Sequence, residues 1–370
     1  MKKVLQFILI ISILLNFGCK EEYFPEIENA EKLLVVDASL TDETNVVTIN
    51  LSRTVSFHET ANEPEIGATV ILSDDKGREF AFMERPPGVY KSKAFTYEYG
   101  RTYVLNIQTK NKKKYKSSPQ KLYPKTTLEP VTSLIKAKTI QSAHNDVVYT
   151  KNYSGLEFAT TLKSSAENSG YFRFENTVLV EYVEKNYYSG NPDSVPGFFY
   201  CWKKYYPNES FNINGNELNN LNEYQHILAF CPIDTNYFSI IQRAVGEGIS
   251  IKYITTRDLY YFAITVKEYQ INEDAHKYFE AINVQIEAKN RIFDPVSFQV
   301  RGNIFSITDP DEPVLGVFEV ASVNSRTYSF SDFQIDKSVK YQEIDTLDIQ
   351  SLPMKGSLYD KYPDFWIYNY

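Results

Sequence analysis

The stretch Thr44 to Ser52, TNVVTINLS, decides the fold class. Val47, Ile49 and Leu51 alternate with Thr48, Asn50 and Ser52, the period of two expected of a strand with one face in a core and the other in water. Upstream, Lys32 to Ser39 (KLLVVDAS) reads as a first strand. Downstream, Ala68 to Leu72 (ATVIL) is another, followed by turn chemistry at Ser73-Asp74-Asp75-Lys76-Gly77, where glycine accepts a positive φ. Phe80 to Met83, Val89 to Ser92, Thr102 to Thr109 and Lys114 to Ser117 continue the series, broken by Pro86-Pro87-Gly88 and by a turn at Asn111. Short strands with Gly, Pro and Asp between them predict a β-sandwich, Ig-like or transthyretin-like, over residues 31–125.

Tyr123-Pro124-Lys125 marks the boundary to a larger unit, 126–370. Gly155 to Lys163, Tyr171 to Lys185, Ser250 to Thr255 and Leu259 to Tyr269 (LYYFAITVKEY) read as strands, the last with Phe262, Ile264 and Val266 on one face. The clearest helix runs over 273–289, with Asn272 as its N-cap and Glu273 and Asp274 in the first turn, where the helix dipole favours acids. Ala275, Tyr278, Phe279, Ile282 and Ile286 form its apolar stripe, and His276 is placed beside it in solvent. The expected fold class is therefore mainly β: an N-terminal sandwich, then a larger β-rich domain with one packed α-helix.

The beginning of the chain carries an address. Met1-Lys2-Lys3 precedes the apolar run Val4 to Leu15, too short to span a bilayer but suited to the h-region of a signal peptide over 1–18. Leu15-Asn16-Phe17-Gly18-Cys19 resembles the bacterial lipoprotein cleavage box, in which the cysteine thiol is diacylated and becomes the first mature residue. Asn16 and Phe17 make it a relaxed version. Acyl chains such as palmitate contribute about 0.8 kcal/mol per buried CH₂, so two or more give a stable anchor in outer-membrane lipid. Lys20-Glu21-Glu22 resembles the tag that carries lipoproteins of Bacteroidetes to the cell surface, and 19–30 reads as a lipidated tether.

Lys plus Arg number 39 against 47 Asp plus Glu, which speaks against a nucleic-acid binder. The 29 Tyr and 24 Phe suit pleated, half-buried surfaces, while 4 His leave little material for metal or triad chemistry. Charge is segregated in the first domain: Lys20 to Arg85 holds 15 acids and 6 bases, Lys91 to Lys125 holds 10 bases and 1 acid. The densest run, Lys110-Asn111-Lys112-Lys113-Lys114, suits anionic lipid headgroups, polysaccharide or an acidic partner. The favoured reading is plainer, a hairpin tip whose lysines discourage edge-to-edge pairing.

No H-E-x-x-H, G-x-S-x-G, G-x-x-x-x-G-K or C-x-x-C motif occurs, and His58, His144, His226 and His276 lie far apart, so no catalytic residue, metal ligand or cofactor is assigned. Once Cys19 is lipidated, Cys201 and Cys231 remain; in an exported protein such a pair predicts a disulfide, with two buried thiols as the competing reading. Tyr187, Tyr188, Phe198, Phe199, Tyr200, Trp202, Tyr205 and Tyr206 crowd a segment interrupted by Gly190, Pro192, Pro196 and Gly197. On a loop these rings would form a recognition surface for sugar, peptide or a protein partner; alternatively they cover their own sheet edge. Asp309-Pro310-Asp311-Glu312-Pro313 lacks the spacing of a calcium loop and reads as an acidic turn.

Gly302-Asn303-Ile304, Thr308 to Phe318 (TDPDEPVLGVF) and Ala321-Ser322-Val323 resemble a signature of the domain-of-unknown-function 4249 family of Bacteroidetes lipoproteins. Leu33 to Asp42 (LLVVDASLTD), Gly67 to Gly77 (GATVILSDDKG), Gly88-Val89-Tyr90 and AITVKEYQINEDAHKYFE share the likeness; Ala38 departs from it where relatives more often show Gly. The resemblance supplies no catalytic residues. It implies an accessory or ligand-capturing partner of a TonB-dependent outer-membrane receptor, the ligand being unknown. The alternatives are a structural or adhesive envelope lipoprotein and, less favoured, a surface hydrolase.

Overall fold

The computed structural model describes residues 32–55, 63–144, 147–165, 167–186, 197–206, 210–215, 221–232, 242–245, 248–251, 262–288 and 299–329. The signal segment, Cys19, Lys20, Glu21, Glu22, Tyr187 and Tyr188 lie outside these residues. The first part of the chain forms β1 (Leu34–Thr41), β2 (Thr48–Arg53), β3 (Glu63–Pro64), β4 (Thr69–Asp74), β5 (Glu79–Glu84), β6 (Val89–Ser92), β7 (Thr102–Gln108), β8 (Lys114–Ser117) and β9 (Gln120–Lys121). Then follow β10 (Thr132–His144), β11 (Val147–Lys163), β12 (Phe172–Asn186), β13 (Gly197–Tyr205), β14 (Asn212–Ile213), β15 (Glu223–Pro232), β16 (Gln242–Val245), β17 (Gly248–Ile251) and β18 (Phe262–Gln270). Helix α1 (Glu273–Ala288), β19 (Ile304–Ser306) and β20 (Leu315–Ser329) complete the described elements. Among the described residues the protein is mainly β with one helix.

Alternation drives the architecture. Leu34, Val36, Ala38 and Leu40 of β1 and Ile49 and Leu51 of β2 are buried, as are Val70 and Leu72 of β4 and Tyr103, Leu105 and Ile107 of β7. These residues share one core although they lie far apart along the path β13-β12-β18-β20-β1-β2-β6-β5-β4-β7-β8-β19, so the large sheet curls over its own apolar face. A second core joins the three-stranded sheet β10-β11-β15 to β12, β18 and β20 through Leu156, Phe158, Phe172, Phe174, Leu228, Ile264 and Val266.

Strand pairing crosses the boundary expected at residue 125. The first half of β20 runs parallel to β1, Val35 opposite Leu315 through Thr41 opposite Ala321. Its second half pairs antiparallel with β18, Gln270 opposite Ser322 through Ala263 opposite Ser329. Strand β19 pairs with β8, and Ile304, Val314, Phe318 and Val320 enter the N-terminal core. Gly316 makes the approach feasible: its φ is +89°, and a Cβ there would stand 1.9 Å from the Val36 carbonyl oxygen. Gly302 presses on the same place, its virtual Cβ 1.6 Å from the Gly316 oxygen. Asn303 then stands in for a strand neighbour, its amide donating to Phe318 O and its oxygen accepting from Phe318 N, each at 2.8 Å.

Helix α1 packs Ala275 and Phe279 onto Val317, Ala321 and Val323 of β20. Asn272 sits at the N-cap position, its carbonyl accepting from His276 N at 3.0 Å. Its side chain does other work: Oδ1 accepts from Lys121 N at 3.0 Å, and Nδ2 donates to Lys121 O and Val320 O at 2.9 and 3.1 Å. His276 differs from expectation. It is buried at 2% exposure, with Nε2 donating to Asn214 O, because the helix turns that flank inward against β14 and Tyr171 rather than to water.

Two further expectations are corrected. Phe198, Phe199, Tyr200, Trp202 and Tyr205 lie on β13, an edge strand paired with β12, and not on a loop; Tyr206 just beyond it is exposed. Of the residues that suggested a loop, Gly190, Pro192 and Pro196 precede the strand in sequence and Gly197 is its first residue. The Cys201–Cys231 disulfide is not formed. Cys201 stands opposite Tyr182 in the large sheet and Cys231 opposite Leu156 in the three-stranded sheet. Cys231 is a thiol whose pKa burial pushes up to about 12.

Candidate functional site

The linker after β9 crosses a cleft of about 280 Å³ whose floor is Glu268 and whose walls include Lys125, Thr126, Glu129, Lys163 and Asn168. Strand β18 positions Glu268. Period two carries the inward face from Ile264 and Val266 on to Glu268 and Gln270, and all four are buried. The strand thus delivers one carboxyl, at 3% exposure, to a place where aliphatic residues would otherwise continue.

Its recorded partners are neutral. Thr126 Oγ1 donates to Glu268 Oε1 at 2.6 Å and Asn324 Nδ2 at 3.3 Å. Burial raises the Glu268 pKa above the ordinary carboxylate range; the bonds from Thr126 and Asn324 pull the other way, and the charge of Glu129 adds to the rise. At the rim Glu129 Oε1 pairs with Lys163 Nζ at 2.6 Å. Lys125 Nζ donates to Val323 O at 2.9 Å and pairs with Asp42 at 3.2 Å. Asp42 is itself buried, accepting from Val323 N and from the Tyr99 hydroxyl, each at 2.8 Å. The cleft therefore lies between the linker, the end of β11 with the turn that follows it, and β18, and Lys125 ties its rim to Asp42 and β20. A buried carboxyl surrounded by hydroxyl, amide and ammonium groups suits a small ligand bearing hydroxyls or an amine.

A second cleft, of about 360 Å³, opens at the start of β1 and is lined by Lys32, Arg53, Glu63, Glu65, Asn111, Lys113 and Glu312. Here the charges satisfy one another. Arg53 Nε pairs with Glu65 at 2.5 Å. The buried Glu312 accepts from Lys113 Nζ and the Tyr115 hydroxyl, both at 3.0 Å, and from Ser306 Oγ at 3.2 Å. Glu312 belongs to the acidic turn 309–313, whose Asp309 O accepts from Glu312 N at 3.0 Å. It fastens that turn to the N-terminal sheet. Among the described residues no group of three or more His, Cys, Asp or Glu is arranged to hold a metal ion.

Sequence reasoning passed over Glu268, yet a signal existed: a single acid on the inward parity of the strongest strand. Cys201, Cys231 and the aromatic segment, which it did single out, are not among the residues that line either cleft.

Among the described residues the body is mainly β, β20 runs parallel to β1, and a polar cleft opens between the linker, β11 and β18. The chain belongs to the DUF4249 family: the family model described as "Domain of unknown function (DUF4249)" matches residues 20–327. No curated protein matches it. Among solved structures, a DUF4785 family protein from Legionella pneumophila subsp. pneumophila str. Philadelphia 1 is similar at 7% identity and a TM-score of 0.16, over 63% of this chain and 51% of that one. This chain thus spans about half of that protein's length, and a likeness of that degree carries no argument.

Proposed function

We propose that the protein is a lipoprotein of the outer membrane, anchored through acylated Cys19 and exposed at the cell surface, where it captures a ligand for a TonB-dependent receptor. The observation that carries the reading is the run from Met1 to Cys19, a basic start and a short apolar segment ending in Gly-Cys, followed by Lys20-Glu21-Glu22. The Glu268 cleft supports the ligand-capturing part, because it gathers polar groups around a buried carboxyl without a Ser-His or Cys-His pair in its lining. The accessory role follows the likeness to lipoproteins encoded beside such receptors.

Affinity purification of the lipidated protein from outer membranes tests the partnership. Co-purification of a TonB-dependent receptor, lost when the lipoprotein is omitted, is the expected result. Repeated recovery of the lipoprotein alone from gently solubilised membranes refutes it.

A further inference from the structure

At the far end of the large sheet, β8 and β19 build a face that the two charge clusters above do not explain. Lys114 and Lys116 of β8 are exposed while Tyr115 and Ser117 point inward. Phe305 and Ile307 are 59% and 56% exposed while Ile304 and Ser306 are buried. The register puts Phe305 opposite Lys116, and Ile307 N donates to Lys114 O at 2.7 Å, so two lysines and two large apolar side chains share one surface. Lys110 and Lys112 in the preceding turn are exposed as well. Lys113 alone of this run turns back to a carboxylate, Glu312; among the described residues none of Lys110, Lys112, Lys114 and Lys116 is ion-paired. Asp309 and Asp311 are the exposed acids nearest in sequence, in the turn after Ile307.

Edge protection accounts for the lysines but not for their neighbours. A strand guarded against pairing carries charge on its edge, and here the edge strand β19 carries the exposed Phe305, with the exposed Ile307 directly after it. Lysines beside an aromatic and an aliphatic residue are instead the composition of a surface that settles on anionic headgroups and dips into the acyl boundary. The position of the tether agrees. Lys32 lines the same cleft as Asn111 and Lys113, so the segment that links Cys19 to this residue joins it beside the lysine turn. The twelve residues 20–31 reach at most about 40 Å, which keeps this end of the body near any lipid on Cys19.

We propose that the outer face of β8 and β19 docks onto an anionic lipid bilayer, Lys114 and Lys116 meeting lipid phosphates while Phe305 and Ile307 enter the interface. The body then lies against the membrane that carries it, not free at the end of its tether. Only the argument from proximity rests on the lipid-anchor reading; the face itself stands on side chains of the folded body.

The test uses the mature chain with Cys19→Ser and no acyl group, so its outcome is independent of lipidation. It is sedimented with vesicles of phosphatidylcholine plus phosphatidylglycerol and with vesicles of phosphatidylcholine alone. Preference for the anionic vesicles that fades with added salt is expected. Lys114→Gln or Lys116→Gln weakens partitioning about five-fold and the pair about thirty-fold, while Phe305→Ser weakens it about tenfold. All these positions are exposed, so unchanged thermal melting separates loss of docking from loss of fold. Equal binding to both vesicle types, no binding, or binding indifferent to these substitutions overturns the proposal. So does a dimer, without vesicle binding, that Phe305→Ser abolishes, because it assigns the face to a second copy. Retention on an acidic polysaccharide without preference for anionic vesicles also overturns it.

Discussion

Arg173 of β12 and Glu319 of β20 form a buried two-pronged pair: Nε donates to Oε1 at 3.0 Å and Nη2 to Oε2 at 3.2 Å. Burial disfavours the guanidinium charge, but Glu319 and then Glu175, 2.7 Å from Nη1, keep the Arg173 pKa above its ordinary value. The guanidinium also lies 3.9 Å from the Tyr269 ring centroid and 5.2 Å from that of Phe279. One side chain thereby ties β12, β18, β20 and α1 together at the point where β20 passes from one pairing partner to the other. A buried pair is costly to break because the remaining charge is left without a partner. Glu319→Gln is expected to destabilise the protein by about 3–5 kcal/mol in denaturant titration. The double variant Arg173→Met/Glu319→Leu is expected to lose less than Glu319→Gln alone. Equal or smaller loss from the single substitution contradicts this role.

Gly316→Ala tests the closure of β1 by β20. The substitution meets both a positive φ and the Val36 oxygen, so it is expected to cost well over 1 kcal/mol. Amide exchange accelerates in Val35–Leu40, where β1 loses its parallel neighbour. Gly77→Ala, at φ +79° but with open space around its virtual Cβ, is the milder control.

His226 links stability to pH. It is stacked on Phe174 with centroids 4.8 Å apart; its Nε2 donates to Asn212 Oδ1 at 2.6 Å, and its Nδ1 accepts from the Tyr224 hydroxyl at 3.3 Å. Burial lowers its pKa to about 4. Below the ordinary value near 6.5 the unfolded chain takes up a proton that the folded chain refuses until about 4, so stability falls as pH drops through that window. The loss attributable to His226 is roughly 3 kcal/mol, read as the difference in unfolding free energy between the protein and His226→Gln across the window.

Glu268 has the opposite sign. Its raised pKa means that the folded chain holds a proton the unfolded chain has released, so its contribution declines as pH rises above about 4.5 toward the folded value. Glu268→Gln is expected to abolish that decline and to gain stability relative to the parent at neutral pH. A parent and variant whose stabilities run parallel with pH contradict the burial argument.

Strands β1, β2, β4 to β8, β12 and β18, the second part of β11 and the helix were legible in the sequence because each is locally periodic; β10, β13, β15, β19 and β20 were not read as strands. TNVVTINLS lies within and just before β2, and the stripe Ala275–Phe279 faces a core. What was hidden is pairing at a distance. Nothing in VLGVFEVASV announces that it lies parallel to LVVDASLT, since parallel partners carry no turn between them and any apolar strand could serve. The lysine turn was legible, but Phe305 and Ile307 come to it from about 190 residues further on, brought by β19. Glu268 was within reach, by extending the parity of Ile264 and Val266 two residues. His276 was misjudged because polarity was read without the neighbour, β14, that covers it.

The lipid anchor is tested most directly by mass spectrometry of the mature N-terminus, using protein purified from the envelope of the organism that makes it. The account predicts a chain that begins at Cys19 with a diacylglyceryl group on its thiol, a mass that Cys19→Ala eliminates. A mature chain that begins elsewhere, or that begins at Cys19 with an unmodified thiol, contradicts it.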